Sequence, residues 1–534
     1  MDEGNSVVTT STGNSVNVTR DTISEPVSTS FTTLSVVDCV YKGEGNSNIV
    51  IALPKERKVI RLRKLLPQDG VSPENAGLQR VKREVEFVQL VASCFLGPYV
   101  RVPEIVRLNI ENVRQLLEVI RHSRPDGRRW KKTVDIHATK YPDYTFLQRR
   151  FDSNRFVRSE TFCVEVKPKQ GYLQNDNTST KNIRKCPYCL MQYLKLKNGT
   201  IKERSSYCPL DLFSGVKTRM KQALRGLLKS PQNNLKIFKD GEVVYGNGSS
   251  TIDLERILKE WFQRSDSWNC SEFQKNEEST SEHTEQFCDL IHEALSRSTV
   301  SSKDFNRHRN HCKENHGSYD DDDDDDDDSE PIPYIDQALV ERVDELLKLE
   351  SCNWKGEQLP NDSVLGRILE MQKVPFVSAE HVYNAYSKHR ESLTDDTIHS
   401  SLTKTHELGR EETSDPEQES ETGTTRRTSR LQNYLLFTCA RDCSILMSFR
   451  ETNPRKTTPG EDRDDTTGTP PGSRFVWDIG ITDTEPKSLR CIEKHRERDT
   501  EILKSIVSVL EGREGTRTTT TTTTTTTTIG KKKG

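Results

Sequence analysis

Lys167 and Lys169 stand two residues apart at the end of an apolar, strand-like run, with Pro168 between them. In an extended segment, residues i and i+2 share a face. The spacing therefore predicts two ammonium groups converging at the rim of a pocket, where Pro168 ends the ladder by offering no N–H. Such a pair suits a polyanion, because each phosphate carries nearly two negative charges at neutral pH. Two surface lysines at a strand end are the plainer alternative. Asp442 lies between two apolar runs, and Asp483 follows Phe475-Val476-Trp477 and Ile481, with Glu485 two residues on. Carboxylates at strand ends can contact an attacking hydroxyl or hold Mg²⁺ in phosphoryl transfer. They can equally form turns or cap helices. Gly43-Glu44-Gly45-Asn46-Ser47-Asn48 offers a turn through which backbone amides could approach phosphates. It has no third glycine, and an ordinary hairpin would read the same way. Cys186-x-x-Cys189 has the spacing of half a zinc site. Cys208 is near, and His308, His311, Cys312 and His316 form a second group, but no matching half is evident. Free thiols fit as well as a metal.

These side chains need elements to position them. Leu34–Tyr41, Asn48–Leu53 and Arg57–Lys64 read as three strands around the glycine turn, followed by a long helix, Asn75–Phe95. Residues 104–121 place apolar side chains at helical spacing, and Thr161–Val166 reads as the strand that delivers Lys167. Asp211–Leu228, Thr251–Phe262, Ile335–Leu349 and Ser363–Tyr386 look helical. Leu435–Ala440 and Ser444–Phe449 look like paired strands; Arg474–Thr482 looks like a last strand and Asp499–Leu510 a last helix. The pattern is α+β. Residues 1–35, the stretch 263–330 with its acidic run Asp320–Asp328, the polar loops 390–430 and 451–472, and the Thr-rich tail 511–534 read as disordered or low-complexity segments.

Hydrophobic residues make up 32% of the 534, and the mean hydropathy is −0.78. The ordered part should then be roughly 350 to 400 residues. The formal net charge of −3 hides a basic region: residues 121–158 hold eleven Lys/Arg against four Asp/Glu. Thirteen scattered cysteines, no signal-like start and no apolar run of membrane-spanning length predict a reduced cytoplasmic or nuclear protein with no membrane contact.

Val164-Glu165-Val166-Lys167-Pro168-Lys169-Gln170-Gly171 resembles the E-[IV]-K-P-K-x-G hallmark of the inositol-pentakisphosphate 2-kinases. The resemblance continues through Lys185–Lys195 (KCPYCLMQYLK), Tyr207–Gly215 (YCPLDLFSG), Pro231–Gly241 (PQNNLKIFKDG), Val364–Gln372 (VLGRILEMQ), Arg441–Ser444 (RDCS) and Ile481–Asp499. It implies a two-lobed, kinase-like enzyme with a small β-rich N-lobe (36–115) and a larger mixed lobe (116–262 and 331–510). The implied reaction is ATP-dependent phosphorylation of inositol 1,3,4,5,6-pentakisphosphate at the 2-hydroxyl, by a monomer, with Mg²⁺. By the same resemblance Gly43, Gly45, Asn46, Asn48 and Arg61 would contact ATP phosphates, and Glu165 would lie at the junction of nucleotide and substrate. Lys167, Lys169, Lys195 and Lys487 would bind inositol phosphates, with Asn233 and Asn234 nearby and an arginine from Arg128 or Arg129. Asp442 would be the base and Asp483 the metal ligand, with Glu485 beside it. Three positions depart from the family pattern: Asp483-Thr484-Glu485-Pro486-Lys487-Ser488 replaces D-L-D-x-K-P, the histidine after Met191 is Gln192, and Arg441 replaces a lysine.

Two other classes compete. A non-catalytic inositol phosphate binder would lack Asp442 or Asp483, and both are present. A zinc-dependent nucleic-acid binder would interleave aromatics with the cations, and the sequence does not, so no nucleic-acid partner is expected.

Overall fold

A computed structural model describes residues 29–32, 35–65, 73–129, 134–147, 156–173, 185–263, 278–298, 332–347, 358–408, 423–452 and 473–521. Six strands make the first sheet: β1 (Thr29–Thr32), β2 (Val40–Glu44), β3 (Asn48–Leu53), β4 (Lys58–Lys64), β5 (Glu104–Leu108) and β6 (Val134–Pro142), in the order β1-β5-β6-β4-β3-β2. β1 runs parallel to β5, and the other pairs are antiparallel. Alternation in β3 and β4 explains the layering. Ile49, Ile51, Ile60 and Leu62 point into one core with Leu108, Val113 and Leu116, which leaves Arg61 on the opposite face. On that opposite face the helix Pro73–Glu86 packs Val81 and Val85 against Ile105.

The second sheet is wholly antiparallel: β7 (Phe162–Val166), β8 (Leu235–Lys239), β9 (Glu242–Tyr245), β10 (Ser444–Glu451) and β11 (Phe475–Thr482), ordered β11-β10-β7-β8-β9. Its largest core gathers Phe162, Val164 and Val166 of β7 with the helices Lys217–Lys229, Thr251–Phe262, Glu278–Ser296, Val364–Gln372 and Gly423–Asp442. Trp261 stacks on Phe162 at 4.8 Å between ring centroids. A third cluster joins Tyr193, Val340, Val343, Ile502 and Ile506 across the helices Pro187–Lys197, Gln337–Leu347 and Cys491–Thr521. No helix among the described residues is long and apolar enough to cross a membrane.

Several expectations are corrected. Leu435–Ala440 is part of the helix Gly423–Asp442, not a strand, because it is buried on every side. A short continuous apolar run does not distinguish a buried helix from a buried strand. Residues 104–121 divide into β5 and the helix Ile110–Val119, separated by Asn109, whose side chain accepts from the amides of Glu111 at 2.8 Å and Asn112 at 3.3 Å. The first expected strand begins later, at Val40, after a short 3₁₀ turn at Val36–Asp38. Asp211–Leu228 splits at Gly215, and Ser363–Tyr386 splits around Pro375. β6 comes from the basic stretch beyond residue 115 yet lies between β4 and β5, so the first sheet reaches past the expected boundary. β1 falls within 1–35, and the helix Asp395–Leu408 within the polar loop 390–430. The last helix, Cys491–Thr521, extends at both ends past the one expected.

The stretch 263–330 holds the helix Glu278–Ser296, whose Phe287, Cys288, Ile291 and Leu295 are fully buried. Lys221 bridges to Glu285 at 2.8 Å and to Asp289 at 3.0 Å on its outer face. Frequent Ser, Glu and His between its apolar positions hide the period. Because Phe287 is wholly buried, Phe287→Ala should cost about 3–5 kcal/mol, read as a lower urea midpoint at unchanged slope. A change below about 0.5 kcal/mol would mean that this helix is not part of the core.

Candidate active site

β7 alternates Phe162, Val164 and Val166 into the core with Cys163, Glu165 and then Lys167 on the other face. The chain turns at once, since Lys169 has φ +64°, a conformation that costs a non-glycine residue about 1–3 kcal/mol and persists only where its surroundings impose it. They do so here. Gln372 donates to the Lys169 carbonyl at 2.9 Å and accepts from the Gly171 amide at 2.8 Å, and Tyr207 donates to the Pro168 carbonyl at 2.7 Å. The extended i, i+2 geometry expected for Lys167 and Lys169 is thereby broken. Lys167 reaches Asp483 at 2.7 Å, while Lys169 lies 3.6 Å from Asp442. Each lysine serves a different carboxylate.

Asp483 follows β11, also at φ +64°. Its carboxylate meets Arg61 of β4 at 2.6 Å and accepts from Ser444 at 2.9 Å. Burial works to raise this carboxyl, but Arg61 and Lys167 prevail and hold it well below the usual range. Glu485 also meets Arg61, at 2.5 Å, and accepts weakly from Asn48 at 3.4 Å. Glu84, on the helix Pro73–Glu86, completes this acidic group. Burial first, and the charge of Glu485 next, push its carboxyl up to about 7. Sequence reasoning missed Glu84, because nothing marks it among the charged residues of an amphipathic helix.

Asp442 closes the helix Gly423–Asp442 rather than a strand. Its side chain is 46% exposed and lies 4.0 Å from Lys487. Burial would raise its carboxyl, yet Lys169, Lys487 and Arg441 keep it below the ordinary value and ionised. Arg441 in turn donates to His495 Nε2 at 3.0 Å, so the remaining proton sits on Nδ1, facing the Tyr434 hydroxyl at 2.8 Å. Burial and Arg441 push that imidazole down to about 2, keeping it neutral. His399 meets the Lys487 carbonyl at 3.0 Å, and Asp395 accepts from the Leu489 amide at 2.8 Å. The helix Asp395–Leu408 thus braces the segment that carries Lys487.

The remaining expected residues divide into two groups. Lys195, on the helix Pro187–Lys197, bonds Gln232, and burial first and then the charge of Lys169 lower its pKa. Lys195 therefore sits near the lysine turn. Glu165 pairs with Lys236 at 3.0 Å and stands 3.9 Å from Lys167. The Asn234 side chain is committed to the fold: it donates to the Lys167 carbonyl at 3.0 Å, while the Asn234 backbone carbonyl accepts from the Lys167 amide at 2.9 Å. Asn233 is exposed beside it.

In the glycine turn, no atom lies within 4 Å of where a Cβ would stand on Gly43 or Gly45, so the space over the loop is open. Asn46 is exposed at its tip. Lys64 donates to the Gly45 carbonyl at 2.8 Å, and Arg128 donates to the Glu44 carbonyl. Arg124 grips the buried Glu44 carboxylate at 2.9 and 3.1 Å. Arg128 is thus placed at the loop, whereas Arg129 spends its donors on the Arg124 and His122 carbonyls, at 2.9 and 3.1 Å, and on Asp126.

Away from this site, the Cys186, Cys189 and Cys208 sulfurs lie within 4.8 Å of one another. The expected second group, His308 to His316, lies outside the described residues.

Four cations (Arg61, Lys167, Lys169 and Lys487) thus stand against the carboxylates Asp442, Asp483 and Glu485, with Lys195 beyond them near Lys169. The family model for inositol-pentakisphosphate 2-kinase matches residues 41–501. An inositol-pentakisphosphate 2-kinase of Danio rerio is 27% identical over 486 residues, which is 87% of this chain and 92% of that protein. One from Drosophila melanogaster is 28% identical over 323 residues, covering 43% of this chain and 52% of that protein. One from Oryza sativa subsp. indica is 29% identical over 251 residues, 40% of this chain and 55% of that protein. The chain belongs to the inositol-pentakisphosphate 2-kinase family.

Proposed function

We propose that this chain transfers the γ-phosphoryl group of ATP to the axial 2-hydroxyl of inositol 1,3,4,5,6-pentakisphosphate, giving inositol hexakisphosphate. The observation that carries the reading is the separation of two acid centres. Asp483 and Glu485 share Arg61, and Asp442 stands apart with Lys169 and Lys487. Phosphoryl transfer asks for this division, with one carboxylate at the attacking hydroxyl and others at the metal. The first sheet and its helix would act as the nucleotide lobe of a two-lobed kinase. Gly43, Gly45, Asn46 and Asn48 would lie over the phosphates, and Arg61 would contact one of them.

Mg²⁺ takes one or two carboxylates together with substrate phosphates, and Asp483 and Glu485, both against Arg61, supply that donor set. Bound there, the ion would neutralise phosphate charge as the bond to the leaving oxygen breaks. Asp442, ionised and half-exposed, is suited to take the hydroxyl proton. Lys167, Lys169, Lys195 and Lys487 would hold the inositol phosphates, whose repulsion by the triphosphate makes fixed cations necessary. Of the arginine pair, Arg128 is the better placed, since Arg129 is engaged within its own turn.

Lys169→Ala should remove charge-assisted hydrogen bonds worth roughly 1.5–3 kcal/mol, or about ten- to a hundred-fold in pentakisphosphate affinity. ATP affinity should change far less. Isothermal titration with each ligand separates the two, and an equal loss for both would remove Lys169 from the inositol side. Turnover of ATP with the pentakisphosphate, followed by chromatography of the inositol phosphates, tests the reading as a whole; nucleotide hydrolysis without a hexakisphosphate product would defeat it.

A further inference from the structure

Charge is not balanced in the same way at the two acid centres. Asp483 and Glu485 meet Arg61 and Lys167, so that carboxylates and cations match. Asp442 alone faces Lys169 and Lys487, and the charge of Arg441 acts on it as well. Three cations thus share one carboxylate. The crowding shows at Lys169: burial first lowers its pKa, Asp442 opposes this, and the charges of Lys167 and Arg441 deepen it.

Arg441 has no carboxylate of its own. Its half-buried guanidinium lies over the Phe437 ring, 5.0 Å from the centroid, and donates to His495 Nε2 at 3.0 Å. Among the described residues it forms no ion pair. His495 is held neutral, so it accepts a bond without cancelling charge. Asp499 also acts on Arg441, but it accepts from Tyr334 at 2.9 Å, and burial pushes its carboxyl up, which weakens it as a counter-charge. Nε and Nη1 of Arg441 bond nothing among the described residues and reach solvent. A guanidinium does not shed its proton, and a partly desolvated charge without a counter-ion is costly. An anionic ligand would supply what the fold withholds.

We propose that Arg441 binds a phosphate of the inositol ring adjacent to the hydroxyl at Asp442, an assignment that rests on the reaction proposed above. With Asp442 at the 2-hydroxyl, the phosphates on carbons 1 and 3 flank the reacting oxygen and come beside the residue that precedes Asp442. A planar guanidinium spreads its donors over several directions, whereas an ammonium presents one nitrogen. Arg441 can therefore keep His495 and still meet a phosphate, which a lysine at this position would do less well. The residue makes recognition depend on a phosphate next to the target hydroxyl, and so acts on specificity as well as affinity.

Isothermal titration of the full-length chain tests this with four ligands: ATP, the pentakisphosphate, and the two tetrakisphosphates that lack either its 1-phosphate or its 3-phosphate. Arg441→Met keeps a side chain over Phe437 and removes the charge. It should weaken pentakisphosphate binding about ten- to a hundred-fold, with little change for ATP. The loss should disappear for the one tetrakisphosphate that lacks the phosphate held by Arg441, and persist for the other. Arg441→Lys should show the same pattern with a smaller loss, and it carries the test if Arg441→Met does not fold. A folded variant with unchanged pentakisphosphate affinity, or with an equal loss for all three inositol phosphates, would overturn the assignment and leave the reaction standing. Wild-type protein that does not bind the pentakisphosphate would overturn both.

Discussion

Asp442→Asn should lower kcat by roughly 10²- to 10⁴-fold, the usual worth of a general base, with KM for the pentakisphosphate unchanged or slightly reduced. The asymmetry follows from its neighbours. Lys169 and Lys487 lie 3.6 and 4.0 Å from the carboxylate, so removing its charge frees two cations for phosphate while taking away only the proton acceptor. The pH dependence has a definite sign. The carboxyl is held below its ordinary value against burial, so the base stays ionised at every pH above the usual carboxylate range near 3.9. Activity should therefore show no acid limb from Asp442 between about pH 5 and pH 8. A variant that lost affinity while keeping kcat would make Asp442 a binding residue.

Asp483→Asn should reduce turnover on the order of 10³-fold, several kcal/mol of charge stabilisation at the metal, and excess Mg²⁺ should restore part of it. The substitution also leaves Arg61 and Lys167 without their shared carboxylate, so thermal unfolding must be recorded alongside. Because the folded-state pKa is depressed, this carboxylate contributes stability above its unfolded value, near 3.9, and loses it as pH falls further. Wild-type protein should thus lose more stability than the variant on acidification below about pH 4. Full activity of the variant at ordinary Mg²⁺ concentration would exclude a metal role for Asp483.

The site was more legible than the fold around it. Lys167, Asp442 and Asp483 could be singled out because charged residues abut apolar runs, and that contrast survives in one dimension, whereas Lys487 was marked by the family resemblance alone. What Lys169 does was not legible. Its left-handed backbone depends on Gln372, which lies far along the chain, and no local spacing reports such a contact. Asn234 illustrates the reverse. Its position in a motif suggested a ligand contact, whereas its amide holds the Lys167 backbone. Among the elements, β3, β4 and β7 were readable from alternation over one buried face. The helix ending at Asp442 was not, since burial on all sides removes the period. The helix Glu278–Ser296 was hidden for the opposite reason, its apolar face being diluted by polar flanks.

The most direct test of the central claim is the position of the new phosphate. The purified chain, incubated with ATP, Mg²⁺ and inositol 1,3,4,5,6-pentakisphosphate, is followed by phosphorus NMR. The account predicts one new resonance from a phosphate on the axial 2-hydroxyl, formed at a rate that Asp442→Asn sharply reduces. A pentakisphosphate that binds but stays unchanged, or a product that Asp442→Asn forms equally fast, would contradict it.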